Sequence, residues 1–301
     1  MKKKPLIKFI SHLNFDIKKN YKLYRKVMEI VYAHPFQKQT GKKQLITIKD
    51  REIPIYLFTP KTRKQEKVIL FYHGGGFVSG SISSYNGFCQ ALADALDQLV
   101  IVTDYRLAPE FPFPNGLQDC YEVTEYLYTY LKKQGKKEED ITLMGDSAGG
   151  NFTAVISLMA RDQKAFSVYQ QVLLYPLLET RHDNALLFPS FFTNGNDYLL
   201  TDKQVDDYLH LYLSKEEDWD QDYTAPLRAD LSNQPRTLIV TAQYDPLRDD
   251  GKNYTKKMKK YGNEVDYFEV PEELHGFLLR NSSRKNIQLV LEKINLFINR
   301  K

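Results

Sequence analysis

Two rhythms of apolar and polar residues run along this chain. From about residue 44 onward, short apolar runs recur at Gln44–Ile48, Ile53–Phe58, Lys67–Tyr72, Leu99–Thr103, Ile141–Met144, Gln171–Tyr175, Thr237–Thr241 and Val265–Val270. The run Val68-Ile69-Leu70-Phe71-Tyr72 is apolar at every position. A strand without in–out alternation is buried on both faces, as in a parallel sheet covered by helices. Between the runs, helical spacing spans roughly 84–97, 115–134, 148–161, 250–261 and 284–299. Strand and helix in alternation predict a doubly wound, mostly parallel α/β sheet.

Two segments break the alternation. Residues 178–222 are a polar and aromatic insertion, with a helix expected near 202–213 after Asp202. Residues 1–43 precede the first strand and carry twelve Lys/Arg against Asp16 and Glu29, a net charge of +10 in a chain whose total is +4. With no internal repeat and no low-complexity linker, these segments read as parts of a lid over one core. The expected organisation is a basic cap segment at 1–43 and a catalytic domain at 44–301, with a cap insertion at about 178–222.

The basic segment has two readings. Its apolar residues cover part of the core while its lysines face water, or it is an arm that meets an anionic surface. No nucleic-acid motif recurs downstream, so no nucleic-acid partner is expected; peripheral contact with anionic membrane stays open, as does a homo-oligomer. No apolar run approaches the ~18 residues of a membrane span. Met1-Lys2-Lys3-Lys4 begins like a signal peptide, but Pro5, Lys8, Ser11, His12 and Asn14 interrupt any apolar stretch after it. Cys89 and Cys120 form neither a disulfide framework nor a CxxC site, and they fit two buried thiols in a cytoplasmic protein.

The strongest chemical signal is Gly145-Asp146-Ser147-Ala148-Gly149-Gly150, between the apolar run Ile141–Met144 and the helical run that begins near 148. GxSxG at a strand-to-helix junction places a nucleophilic serine on a sharp turn above the sheet. Gly145 and Gly149 remove Cβ atoms where strand and helix approach closely. The bland alternative is a helix N-cap formed by Asp146 or Ser147. A second signal is His73-Gly74-Gly75-Gly76-Phe77, directly after the run that ends at Tyr72. Successive glycines let backbone N–H groups converge on an oxyanion. A phosphate cradle would also be glycine-rich, but no GK[ST] follows and GxGxxG fails at its last position.

Asp245 follows the run Thr237–Thr241 and His275 follows Val265–Val270, so serine, acid and base come in the order 147, 245, 275. That order is expected when each sits at the carboxyl end of a strand, the strands following one another. His275 would take the Ser147 proton, and Asp245 would fix its tautomer. Asp249, Asp250, Glu272 and Glu273 are rival acids. His73 reads as a loop anchor. No HxH, HExxH or carboxylate cluster suggests a metal.

Four motifs together, His73–Gly76, Tyr105-Arg106-Leu107-Ala108-Pro109-Glu110, Gly145–Gly150 and Asp245-Pro246-Leu247-Arg248-Asp249, resemble the hormone-sensitive-lipase-like branch of the α/β-hydrolases. The resemblance covers about residue 44 to the C-terminus. It implies an eight-stranded, mostly parallel sheet, a helical cap from the N-terminus plus an insertion after the sixth strand, and a serine esterase without cofactor. It also implies an oxyanion hole from the N–H groups of Gly75, Gly76 and Ala148, and a structural Tyr105–Glu110 segment. The expected function is hydrolysis of small-molecule esters with short-to-medium acyl chains through an acyl-serine; a polar cap without an interfacial anchor speaks against long chains. A catalytically silent receptor on the same scaffold and a hydrolase of amide or thioester bonds are the alternatives. Residues 187–200 match no recognised pattern.

Overall fold

A computed structural model of the chain describes residues 16–32, 39–62, 66–196, 198–279 and 284–300. The basic arm's first fifteen residues, with Lys2–Lys4 and His12, lie outside the described residues, as does His34. Among those described, the apolar runs form eight strands: β1 (Lys42–Ile48), β2 (Arg51–Phe58), β3 (Val68–Tyr72), β4 (Leu99–Thr103), β5 (Ile141–Asp146), β6 (Gln170–Leu174), β7 (Arg236–Tyr244) and β8 (Val265–Leu274). They make one sheet in the order β1-β2-β4-β3-β5-β6-β7-β8. β2 runs antiparallel to both β1 and β4, and every other pair is parallel.

The uniformly apolar runs are central. β3, β4, β5 and β6 are buried at every position. Their side chains alternate between two helical layers. Leu70, Ile101 and Leu143 point to a layer containing α3 (Asn115–Lys133) and α4 (Ala148–Gln163), through Leu117, Val123, Phe152 and Val155. Ile69, Phe71, Val100 and Met144 point to the opposite layer, which contains α2 (Ile82–Leu96) and α8 (Arg284–Asn299), through Cys89, Leu92, Val290 and Ile294. α7 (Arg248–Lys260) packs Tyr254 and Met258 against Ala154 and Leu158 of α4. Each such side chain removed from water contributes about 1.5–3 kcal/mol. Cys89 and Cys120 are buried free thiols, one in each layer.

Three further α-helices lie among the described residues. α1 (Ile17–Tyr32) precedes the sheet, and α5 (Pro189–Asn194) and α6 (Asp202–Tyr212) lie between β6 and β7. α6 starts where a capping box fixes it: the Thr201 hydroxyl accepts the Gln204 N–H, and the Gln204 side chain accepts the Thr201 N–H. α5 fills part of the stretch that has no recognisable pattern; Pro189 at its first turn is its one local signal. α1 begins against α6, where Asp207 accepts the Ile17 N–H at 3.3 Å. The expected cap segments also expose some apolar side chains. Leu23, Val27 and Ile30 on α1 stand exposed, as do Leu186 and Leu187 just before α5 and Phe192 on it.

The junction of β5 and α4 is the tightest place in the fold. Ser147 sits at φ 53° and ψ −117°, a conformation that side-chain-bearing residues rarely adopt. A Cβ on Gly145 would meet the Gly149 carbonyl, and a Cβ on Gly149 would meet the Tyr72 carbonyl, both closer than 3.0 Å. Both obstacles are backbone and cannot rotate away. Gly149→Ala is therefore expected to destabilise the protein by about 3 kcal/mol. A shift in the urea midpoint would register it, and an unchanged midpoint would show that α4 has room to retreat from β3.

Candidate active site

Ser147, Asp245 and His275 converge at the carboxyl edge of the sheet. Ser147 follows β5, Asp245 follows β7 and His275 follows β8. The strands are not successive, as the sequence suggests, because β6 intervenes and carries none of the three. His275 Nε2 lies 2.8 Å from Ser147 Oγ, and its Nδ1 lies 2.8 Å from Asp245 Oδ2. Asp245 is fully buried, and its other oxygen accepts the Leu247 N–H at 2.8 Å. A carboxylate only accepts, so Nδ1 carries the proton and Nε2 is left to accept from the serine hydroxyl. The Ser147 side chain makes no helix-capping bond, so the N-cap alternative is not realised.

Local irregularity aims His275. β8 pairs in register with β7 through Ala242 and Val270, then resumes at Tyr244 and Leu274. Three residues of β8 thus face one of β7, and Gln243 Oε1 accepts the Glu272 N–H across the gap. A bulge of this kind at an edge strand redirects the chain that follows it. Three of the four rival acids are occupied elsewhere. Asp249 accepts the Ser190 N–H, Asp250 accepts the N–H groups of Leu178 and Glu179 and pairs with His182, and Glu273 accepts from Asn286.

The glycine loop is oriented by its carbonyls. Gly74 O faces His73 Nδ1 at 2.9 Å, and Gly75 O accepts the N–H groups of Val78 and Ser79 and the Ser79 hydroxyl. In a trans peptide the N–H points opposite the C=O. The N–H groups of Gly75 and Gly76 are thereby turned away from these partners, and with that of Ala148 they have no internal acceptor among the described residues. Gly75 and Gly76 sit at φ 121° and 63°, in the region that favours glycine. His73 is buried, and burial holds its imidazole below its ordinary pKa, so it stays neutral. It stacks on Tyr105 with ring centres 4.2 Å apart, and the Tyr105 hydroxyl donates to the His73 carbonyl. The Tyr105–Glu110 segment thus braces the glycine loop.

A cavity of about 770 Å³ lies over Ser147. Its walls include the glycine loop, Leu177, Leu199 and Leu247, with Tyr24 and Met28 of α1 and Tyr208 of α6. The Tyr24 and Tyr208 hydroxyls are hydrogen-bonded, and the Tyr208 ring occupies the space where a Gly76 Cβ would be. Arg25 on α1 donates to the Val78 and Ala108 carbonyls, both at 2.6 Å, and to both oxygens of Glu110. α1 is thus tied to the loop beside Ser147. Neither the tyrosine pair nor Arg25 carries any local sequence signal, since each depends on a contact between distant segments. Among the described residues no group of His, Cys, Asp and Glu is arranged to hold a metal, and no helix is long and apolar enough to cross a membrane.

Comparison with known proteins agrees with this architecture. A family model described as alpha/beta hydrolase fold matches residues 69–279. The chain is 34% identical over 234 residues to an arylesterase of Saccharolobus solfataricus, covering 77% of this chain and 75% of the relative. It is 34% identical over 232 residues to carboxylesterase NlhH of Mycobacterium tuberculosis, covering 75% and 72%. A hyperthermophilic esterase of Pyrobaculum calidifontis superposes with a TM-score of 0.84 at 29% identity, over 99% of this chain and 98% of that one.

Removing the Arg25 clip should loosen α1 without unfolding the sheet. Arg25→Ala is expected to lower the local opening free energy of α1 by roughly 1–3 kcal/mol, as for lost hydrogen bonds to a charged group. Amide hydrogen exchange would show faster exchange in α1 with β3–β6 unchanged. Equal acceleration everywhere would contradict a local role.

Proposed function

The chain belongs to the hormone-sensitive-lipase-like branch of the α/β-hydrolase family and is a carboxylic ester hydrolase, and on that premise we propose that Ser147, His275 and Asp245 are its nucleophile, general base and orienting acid. The observation that carries this reading is the unbroken hydrogen-bonded line from Ser147 Oγ through His275 to buried Asp245.

Ser147 Oγ attacks the ester carbon as its proton passes to His275 Nε2. Asp245 stabilises the imidazolium through Nδ1–H. The carbonyl oxygen becomes an oxyanion and takes the N–H groups of Gly75, Gly76 and Ala148. Collapse of the tetrahedral species expels the alcohol, which receives the proton from His275. Water then repeats the sequence on the acyl-serine, restoring free Ser147 and releasing the acid. No cofactor enters any step.

In this reading α1 and the 178–222 insertion act as a cap that shapes the substrate space. The cavity's volume and its leucine-rich wall suit acyl chains of short to medium length. An acyl-transfer site of this kind favours esters over amides with the same acyl group, because an alkoxide leaves more readily than an amide anion.

The test is hydrolysis of p-nitrophenyl acetate, butyrate, octanoate and palmitate near neutral pH. A maximum among the first three is expected. Ser147→Ala should lower kcat by about 10⁴–10⁶, and Asp245→Asn by about 10⁴, whereas Asp249→Asn should leave kcat within a few-fold. Hydrolysis that survives Ser147→Ala in enzyme free of contaminating esterase would refute the assignment. A palmitate maximum would refute the chain-length reading alone.

A further inference from the structure

The GxSxG pattern leaves the residue before the serine unspecified, yet here it is a carboxylate sealed in the protein. Asp146 is 2% exposed. Its Oδ1 accepts the Gly74 N–H at 2.8 Å, and its Oδ2 accepts the Tyr85 hydroxyl at 2.9 Å. The Tyr85 oxygen also accepts the same Gly74 N–H, at 2.9 Å. Gly74 lies flush against this group, because a Cβ there would fall 2.8 Å from both the Asp146 carbonyl and its Oδ2. Burying a carboxylate without a paired cation is costly, so the hydrophobic core gains nothing from Asp146 that a small apolar residue would not supply better.

What Asp146 supplies is a hold on a glycine. Three consecutive glycines have wide conformational freedom, and freedom is damaging where N–H groups must be pre-aimed. The Gly74 N–H is held by Asp146 and Tyr85, and the Gly74 carbonyl by His73. With both flanking peptides anchored, the Gly74 dihedrals are fixed, and so is the direction of the Gly75 N–H. Asp146 is also chain neighbour to Ser147. One side chain therefore sets the position of the glycine loop relative to the nucleophile.

We propose that Asp146 is a positioning residue for oxyanion binding, acting through Gly74 on the N–H groups of the glycine loop. The proposal rests on the esterase reading above and adds a residue to it that does not touch the reacting atoms.

The protonation state of Asp146 matters to this hold, because only the carboxylate accepts from both donors at once. The titratable groups facing it are Tyr85 and Cys89 of α2, Tyr105 after β4, Tyr175 after β6 and His275 after β8. Burial pushes its carboxyl up to about 6, opposed by the Tyr85 and Gly74 hydrogen bonds and by the charge of His275. As pH falls through that range, a proton on Asp146 turns one acceptor into a donor, and the loop loses part of its anchorage. Asp146 thus contributes to the acid limb of the rate profile.

The test uses the full chain with p-nitrophenyl butyrate as substrate, sites being counted by titration with a p-nitrophenyl phosphonate. Asp146→Asn, nearly isosteric, is expected to lower kcat per titrated site roughly 10–100-fold, less than loss of an oxyanion donor outright, with KM changed little. Affinity for butaneboronic acid, whose tetrahedral adduct places oxygen among the same N–H groups, should fall by a similar factor. The loss of rate as pH falls through about 6 should be less steep in Asp146→Asn than in the wild type. Tyr85→Phe, which keeps the carboxylate, should give a smaller loss of roughly five-fold. If Asp146→Asn fails to fold, Tyr85→Phe with the same paired loss of kcat and boronate affinity still supports the role. Unchanged kcat per site and boronate affinity in whichever variants fold would overturn it, as would a loss confined to the number of titratable sites. Ser147→Ala run alongside separates the two readings: activity surviving there would sink the esterase assignment, whereas its abolition beside a normal Asp146→Asn would sink only the positioning role.

Discussion

The molecule is organised around one backbone constraint, the positive φ of Ser147 at the junction of β5 and α4. Such a conformation in a residue with a side chain costs on the order of 1–3 kcal/mol and persists only when its surroundings over-determine it. They do so here from several sides. The Ser147 N–H donates to the Leu174 carbonyl at 2.8 Å, and its carbonyl accepts from Asn151 and Leu177. The Asn151 side chain reaches on to the carbonyls of Leu177 and Thr224, which joins the turn to both ends of the insertion between β6 and β7. Below it, fully buried strands fix the height at which the turn emerges. The glycines at 145 and 149 answer the same constraint, since no other residue permits this approach of helix to sheet.

Everything chemical is arranged relative to that fixed hydroxyl. Parallel strands deliver Asp245 and His275 to the same edge, and the bulge in β8 turns His275 toward Ser147. Two buried carboxylates lie within electrostatic reach of the imidazole. Asp245 bonds it directly, while Asp146 interacts through charge and holds the glycine loop. Their proton-bearing partners differ, so the same residue type serves orientation in one place and loop anchorage in the other. α1 and α6 close the space above through Arg25 and the Tyr24–Tyr208 pair, contacts that leave the sheet itself untouched.

The fold was largely legible because apolar runs report burial on both faces, and burial on both faces is what parallel central strands require. The positions of Ser147, Asp245 and His275 were legible for a related reason: in such a sheet, loops at the carboxyl ends of strands share one edge. What local pattern could not reveal was contact between remote segments. Nothing near Tyr24 announces Tyr208, and nothing near Arg25 announces Glu110. α5 is too short to display a period. Asp146 is a different case, since it stood within the most recognisable motif. Its role is hidden because a pattern of spacing says nothing of where an intervening side chain reaches.

The most direct measurement is covalent labelling by a p-nitrophenyl alkylphosphonate, followed by mass spectrometry of the modified peptide. One phosphonyl group per chain on Ser147, formed as ester hydrolysis is lost and slowed by orders of magnitude in His275→Ala, is the expected result. Labelling of another residue, or continued ester hydrolysis after Ser147 is fully modified, would contradict the assignment of Ser147 as the nucleophile.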